Sequence, residues 1–173
     1  MLLIQNTNVV VKFKVAPEKI LSEAINVVEY VIQKHGKDLA ACNVGVYTMV
    51  ENLTGDKCLR GLQANHIYDY LNNNNAKDKW YEVKGPEGLQ QLANEGHIVV
   101  AVWKNPTGRS GHVACIIPGE EIYSDTWGCK VPITMDTGGM SRWPSSRDLG
   151  KTLARSFGKN KKDFVKYYIY EKN

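Results

Sequence analysis

An α+β fold, with N-terminal helices packed on a central antiparallel β-sheet, is predicted by three observations. Apolar residues recur at helical spacing in blocks along residues 17–71. Two apolar runs, 97–103 and 112–117, flank a stretch rich in turn residues, the pattern of a hairpin. A run rich in aromatic and β-branched residues, 164–170, closes the chain. The length of 173 residues suits one domain, 1–173, around a single core.

The elements follow in order. Residues 1–16 alternate loosely through Val9, Val11, Phe13 and Val15, which fits an N-terminal strand or arm. Pro17 opens a helix, because proline is tolerated in the first turn, and Ile20, Leu21, Ala24, Val27, Val28, Val31 and Ile32 form its apolar stripe. Gly36 is a plausible C-cap. A second helix starts at Cys42, continues through Val46, Met49, Val50 and Leu53, and stops at Thr54-Gly55. Ala64, Ile67, Tyr68 and Leu71 mark a third, followed by a loop at the asparagine run 72–75. A short fourth helix follows Pro86 (Leu89, Leu92, Ala93) and ends at Gly96. Strands are then expected at 97–103, 112–117, 121–124 and 131–135, a helix at 149–157 and a last strand at 164–170.

Two residues sit where their chemistry needs them. Cys42, in Ala40-Ala41-Cys42-Asn43-Val44-Gly45, heads an apolar helix, where the positive end of the helix dipole favours a thiolate. The small neighbours Ala40, Ala41 and Gly45 leave room for a substrate. His112, after Gly108-Arg109-Ser110-Gly111, begins a strand near the sheet end, where a helix N-terminus can meet it and an imidazole can act as base. Each has a plainer reading, as a small core residue and as a satisfied core histidine. His97 is the rival base. Cys58, Cys115 and Cys129 lack the setting of Cys42, and Cys115 is expected in the core. A third group would orient the imidazole, and both Asp125 and Asp136 qualify; spacing alone does not separate them.

Composition narrows the classes. The four cysteines form no CxxC pair, and the four histidines show no HExxH spacing, which disfavours structural zinc and metal hydrolysis; no cofactor is expected. No stretch approaches the ~18 apolar residues of a membrane helix. Residues 1–10 carry no basic region of the kind that opens a secretory signal peptide. Net charge is +4, and Arg142, Arg147, Lys151, Arg155, Lys159, Lys161, Lys162 and Lys166 crowd the C-terminal third. Such a face suits an anionic partner or is a solvated surface.

Taken in order, these pieces resemble a known family. Cys42-Asn43-Val44 heads a helix, and Arg60-Gly61-Leu62-Gln63-Ala64-Asn65 follows it. Gly96-His97-Ile98-Val99-Val100 and Gly111-His112-Val113-Ala114 come next, then Val131-Pro132 leading to Met135-Asp136-Thr137-Gly138, and finally Lys166-Tyr167-Tyr168-Ile169-Tyr170. Over roughly residues 36–171 the set resembles the NlpC/P60 and CHAP peptidoglycan hydrolases, papain-like cysteine peptidases, and within them the amidase effectors of type VI secretion. Residues 1–35 have no counterpart. The resemblance implies a papain-like fold, Cys42 as nucleophile and His112 as base. The third residue falls on Asp136 if Val131-Pro132 marks the register, or on Asp125 with the tighter NlpC/P60 spacing; Asp136 is favoured.

The reaction so implied is cleavage of a peptide-stem amide bond of peptidoglycan. Trp103, Trp127, Trp143 and Tyr123 either line a groove for the stem or pack in the core. The resemblance further implies a toxin that is cytoplasmic before delivery and exported to the envelope or periplasm without a visible signal peptide, acting as a monomer, with a cognate immunity protein. Two alternatives stay open: a papain-fold acyltransferase or protein peptidase, and a non-catalytic basic binding module. The chain has no RNP-like, zinc-finger or helix-turn-helix signature, so nucleic acid is not an expected partner.

Overall fold

The computed structural model of the chain describes residues 12–36, 39–73, 76–138 and 149–171. Three helices come first: α1 (Pro17–His35), α2 (Cys42–Thr54) and α3 (Ala64–Asn72). They start and stop where local chemistry dictates. Proline opens α1, and the Gly36 N–H closes it on the Ile32 carbonyl. At the end of α2, Gly55 adopts the left-handed conformation that only glycine takes freely, and its N–H caps the Glu51 carbonyl.

The rest of the chain alternates strands and short helices. These are β1 (Trp80–Val83), α4 (Leu89–Asn94), β2 (Val99–Trp103), β3 (His112–Ile116), β4 (Ile122–Ser124), β5 (Cys129–Val131), β6 (Ile133–Met135), β7 (Lys151–Thr152) and α5 (Leu153–Phe157). A 3-10 turn, Lys159–Phe164, leads into β8 (Lys166–Tyr170). Six strands form one antiparallel sheet in the order β1-β8-β2-β3-β6-β7, and β4-β5 form a separate ribbon. The α+β class with an antiparallel sheet is therefore present.

The sheet is covered on both faces, which is why its central strands read as unbroken apolar runs rather than alternating ones. Val100, Val102, Val113, Cys115, Tyr168 and Tyr170 face α1, α2 and α3. Val99, Ala101, Ala114, Ile116, Tyr167 and Ile169 face α4, α5 and the ribbon residues Trp127 and Val131. Cys115 is buried in the core, as expected.

Several element boundaries differ from expectation. The run 131–135 is two strands, because Pro132 has no N–H for a ladder; β5 pairs with β4, whereas β6 joins the main sheet. The helix expected over 149–157 begins only at Leu153, because Lys151 and Thr152 pair with Thr134 and Ile133. The last strand begins at Lys166 rather than 164, the 3-10 turn taking the residues before it. β1 was not anticipated. Residues 12–16 are an arm without strand pairing, tied by the Val15 N–H to the Gly96 carbonyl and by the Lys12 and Phe13 N–H groups to the buried Glu171 carboxylate. The expected strand or arm before residue 12 lies outside the described residues, as do Arg142, Trp143 and Arg147.

Candidate active site

Cys42 is the first residue of α2, and the N-cap residue Ala41 makes no side-chain bond to that helix start. As at any helix start, the N–H groups of its first turn have no carbonyl partner within the helix and point outward from the helix end. His112 is the first residue of β3, opposite Trp103 on β2. β6 runs antiparallel to β3 with Cys115 opposite Met135, and the same register carries residues 136–138 back past His112. That segment joins the two halves of the site.

Each of its residues has a separate contact. The His112 Nε2 lies 3.0 Å from Asp136 Oδ2, an oxygen that also accepts from Lys151 Nζ at 2.8 Å. The other carboxylate oxygen accepts the Gly138 N–H at 2.8 Å. Thr137 brackets the residue before the cysteine: its hydroxyl donates to the Ala41 carbonyl at 2.8 Å, and its carbonyl accepts the Ala41 N–H at 3.0 Å. Gly138 packs flush against the pair, so that a β-carbon there would lie 2.4 Å from His112 Cε1 and 3.1 Å from the Cys42 β-carbon.

Gly45, one turn into α2, lets Thr137 approach; a β-carbon on it would lie 2.2 Å from the Thr137 hydroxyl. α3 adds a further support. Asn65 donates to the Gly108 carbonyl at 3.1 Å and accepts the Asn105 N–H at 2.9 Å, pinning the loop that leads to His112. The Phe157 ring of α5 meets the imidazole edge-on, with centroids 5.0 Å apart.

Cys42 and His112 open on one cavity of about 400 Å3, lined otherwise by short or neutral side chains: Ala40, Asn43, Gln63, Ala64, Ser110, Gly111 and Gly138. A larger surface groove of about 610 Å3 lies between α1 and α2. It holds neither the cysteine nor the histidine, and its polar side chains bond to each other: Asn52 with Glu23, Lys34 with Tyr30, Arg60 with Glu51. Chemistry favours the smaller cavity.

Electrostatics couple the groups. Asp136 is fully buried and the His112 side chain is 17% exposed. Burial opposes charge on the imidazole, but the Asp136 carboxylate outweighs it through charge and hydrogen bond, and a hydrogen bond with Cys42 adds to the effect. The imidazole is thus held well above its ordinary value. Burial also disfavours the carboxylate, and His112 with Lys151 overcomes that penalty, holding Asp136 below the usual carboxylate range. With Nε2 facing Asp136, the ring presents Nδ1 for the bond with the thiol. A thiol, an imidazole and a carboxylate in series can generate a nucleophile and then return its proton to a leaving group.

The structure thus brings Cys42, His112 and Asp136 together. Asp125 instead lies exposed in the turn between β4 and β5. His97 is buried at the opposite end of β2 from Trp103, beside Glu95, and does not line the cavity. Of the aromatic residues expected to border a groove, Trp127 is buried with its indole N–H on the Gly158 carbonyl, and Tyr123 is exposed on the ribbon. Trp103 is half-buried under Lys161, and none of these three lines the cavity.

Lys151, grouped by sequence with a basic surface, is turned inward onto Asp136 and its side chain is only 9% exposed. Neither its role nor those of Asn65, Thr137 and Phe157 follows from spacing; Asn65 and Thr137 do fall within the ordered motifs, which is the one signal they carry. Among the described residues, no group of three or more His, Cys, Asp or Glu side chains could hold a metal ion, and no helix is long and apolar enough to cross a membrane. The sequence matches no protein-family model and no curated protein.

Proposed function

We propose that the protein is a cysteine-dependent amidase or endopeptidase that cleaves peptide-stem amide bonds of bacterial peptidoglycan through Cys42, His112 and Asp136. The observation that carries this reading is the shared cavity: a cysteine at a helix start faces it beside a histidine whose far nitrogen is 3.0 Å from a buried carboxylate. The substrate class rests on the resemblance of the ordered motifs to NlpC/P60 and CHAP hydrolases, as does the papain-like assignment of the fold. A nucleophile helix packed on an antiparallel sheet that bears the base is consistent with both.

The proposed reaction uses these groups in turn. The Cys42 thiol gives its proton to His112 Nδ1, and the thiolate attacks the carbonyl carbon of the stem amide. The backbone N–H groups at the start of α2, which have no carbonyl partner within the helix, hold the oxyanion. His112 passes the proton to the amide nitrogen, the C–N bond breaks and the amine leaves. Water, deprotonated by His112, then attacks the thioester; the acid departs and the thiol is restored. Asp136 keeps the ring in the tautomer and orientation these transfers need.

Purified protein and the Cys42→Ala variant, each incubated with insoluble peptidoglycan, test the reading by mass spectrometry of the released fragments. New stem-peptide termini are expected from the wild type alone. Equal products from both proteins, or none from either, would overturn it.

A further inference from the structure

The Asp136 carboxylate is bound by more than a histidine needs. Its Oδ2 takes two cationic donors, His112 and Lys151, and its Oδ1 takes a backbone N–H. Both cationic groups touch one oxygen of a fully buried side chain. Resting on the site assignment above, we propose that Lys151 is a positioning residue of the site, which fixes Asp136 and draws off part of its charge so that His112 can release its proton to the leaving amine.

The argument is one of charge balance. A thiolate–imidazolium pair backed by a lone buried carboxylate carries a net negative charge, and that carboxylate grips the imidazolium proton. Such a histidine is a good acceptor of the thiol proton but a poor general acid in the step that expels the amine. The Lys151 ammonium, reached from β7, makes the four-group array neutral: thiolate, imidazolium, carboxylate, ammonium. The two cations lie within about 6 Å of each other, close enough at an effective dielectric near 20 to lower the imidazole's proton affinity by about two pH units.

Among the described residues, the groups of this array come from separate elements. Cys42 reaches His112 from α2, Asp136 from the segment after β6, and Phe157 from α5 contributes an uncharged ring. Among the described residues, Lys151 is the cation bonded to Asp136 besides His112.

The test reads the pH dependence of Cys42 alkylation by iodoacetamide, which needs no knowledge of the substrate, together with the NMR titration of the His112 ring. Wild type, His112→Asn, Lys151→Gln and Lys151→Arg are compared. Glutamine keeps a donor near Asp136 but no charge, and arginine keeps the charge. The expected result is that Lys151→Gln raises the midpoint for loss of the imidazolium proton by about one pH unit or more, while Lys151→Arg stays near wild type. A Lys151→Gln midpoint equal to wild type would overturn the role of Lys151 and leave the cysteine–histidine pair standing.

A wild-type alkylation profile unchanged by His112→Asn would instead overturn the site assignment itself. One measurement avoids variants altogether. In wild-type 1H–15N spectra, the Lys151 ammonium signal is expected to shift in step with the His112 titration, and a signal indifferent to that step also overturns the proposal.

Discussion

Asp136 carries opposite consequences for stability at the two ends of the pH scale. His112 has its folded value raised above the ordinary 6.5, so its charge contributes stability that is complete below about pH 6.5 and is lost as the pH rises through the folded value. Asp136 has its folded value lowered beneath 3.8, so its contribution is complete above about pH 4 and is lost as the pH falls. The pair therefore contributes in full between about pH 4 and about pH 6.5. Asp136→Asn is expected to cost about 3 kcal/mol in urea unfolding near pH 6, because it leaves His112 and Lys151 without their shared partner, and distinctly less above about pH 10, where the imidazole gives up its charge. A cost that does not change over that range would mean that the two groups are not coupled. The same substitution should slow Cys42 alkylation in mildly acid solution.

α2 is seated by a small contact of large effect. Alanine at position 45 would favour a free helix over glycine by about 1 kcal/mol. Here the added methyl meets the Thr137 hydroxyl at 2.2 Å, and overpacking of that kind costs about 1–3 kcal/mol. The clash outweighs propensity, so Gly45→Ala is expected to lower stability by up to about 2 kcal/mol in urea titration and to reduce cleavage. Adding Thr137→Ala should recover part of the stability; a Gly45→Ala protein more stable than wild type would contradict the seating.

Elements set by local pattern are legible in the sequence. The stripes of α1 and α2, their glycine stops and the β2–β3 hairpin all follow from spacing and turn residues. β1 did not show itself, since four residues with only Trp80 and Val83 buried become a strand through pairing with β8, far along the chain. β7 is two residues long for the same reason. In the site, Cys42 and His112 were visible because each heads an element. The choice of Asp136 over Asp125 depends on strand register, and Lys151 depends on a partner that only the assembled sheet supplies.

At the scale of the molecule, a net charge of +4 and exposed cations such as Arg109 and Lys159 favour an anionic polymer. Co-sedimentation with insoluble peptidoglycan is expected to weaken as salt rises from about 0.05 M to about 0.5 M, where exposed charges are screened; binding indifferent to salt would remove charge as the source of attraction. Much of the basic C-terminal third is already engaged within the fold, Lys162 on the Trp127 carbonyl and Lys166 on Asn72, so the attraction is modest in extent. The sheet has a further property. β8, the last strand in sequence, lies between β1 and β2 rather than at an edge. During synthesis, Cys42, His112, Asp136 and Lys151 therefore all leave the ribosome before the strand that joins β1 to the rest of the sheet, and a growing chain carries these four side chains while two strand edges still stand open. The pairing of β8 thus closes both edges at once and joins β1 to the strands that carry the site.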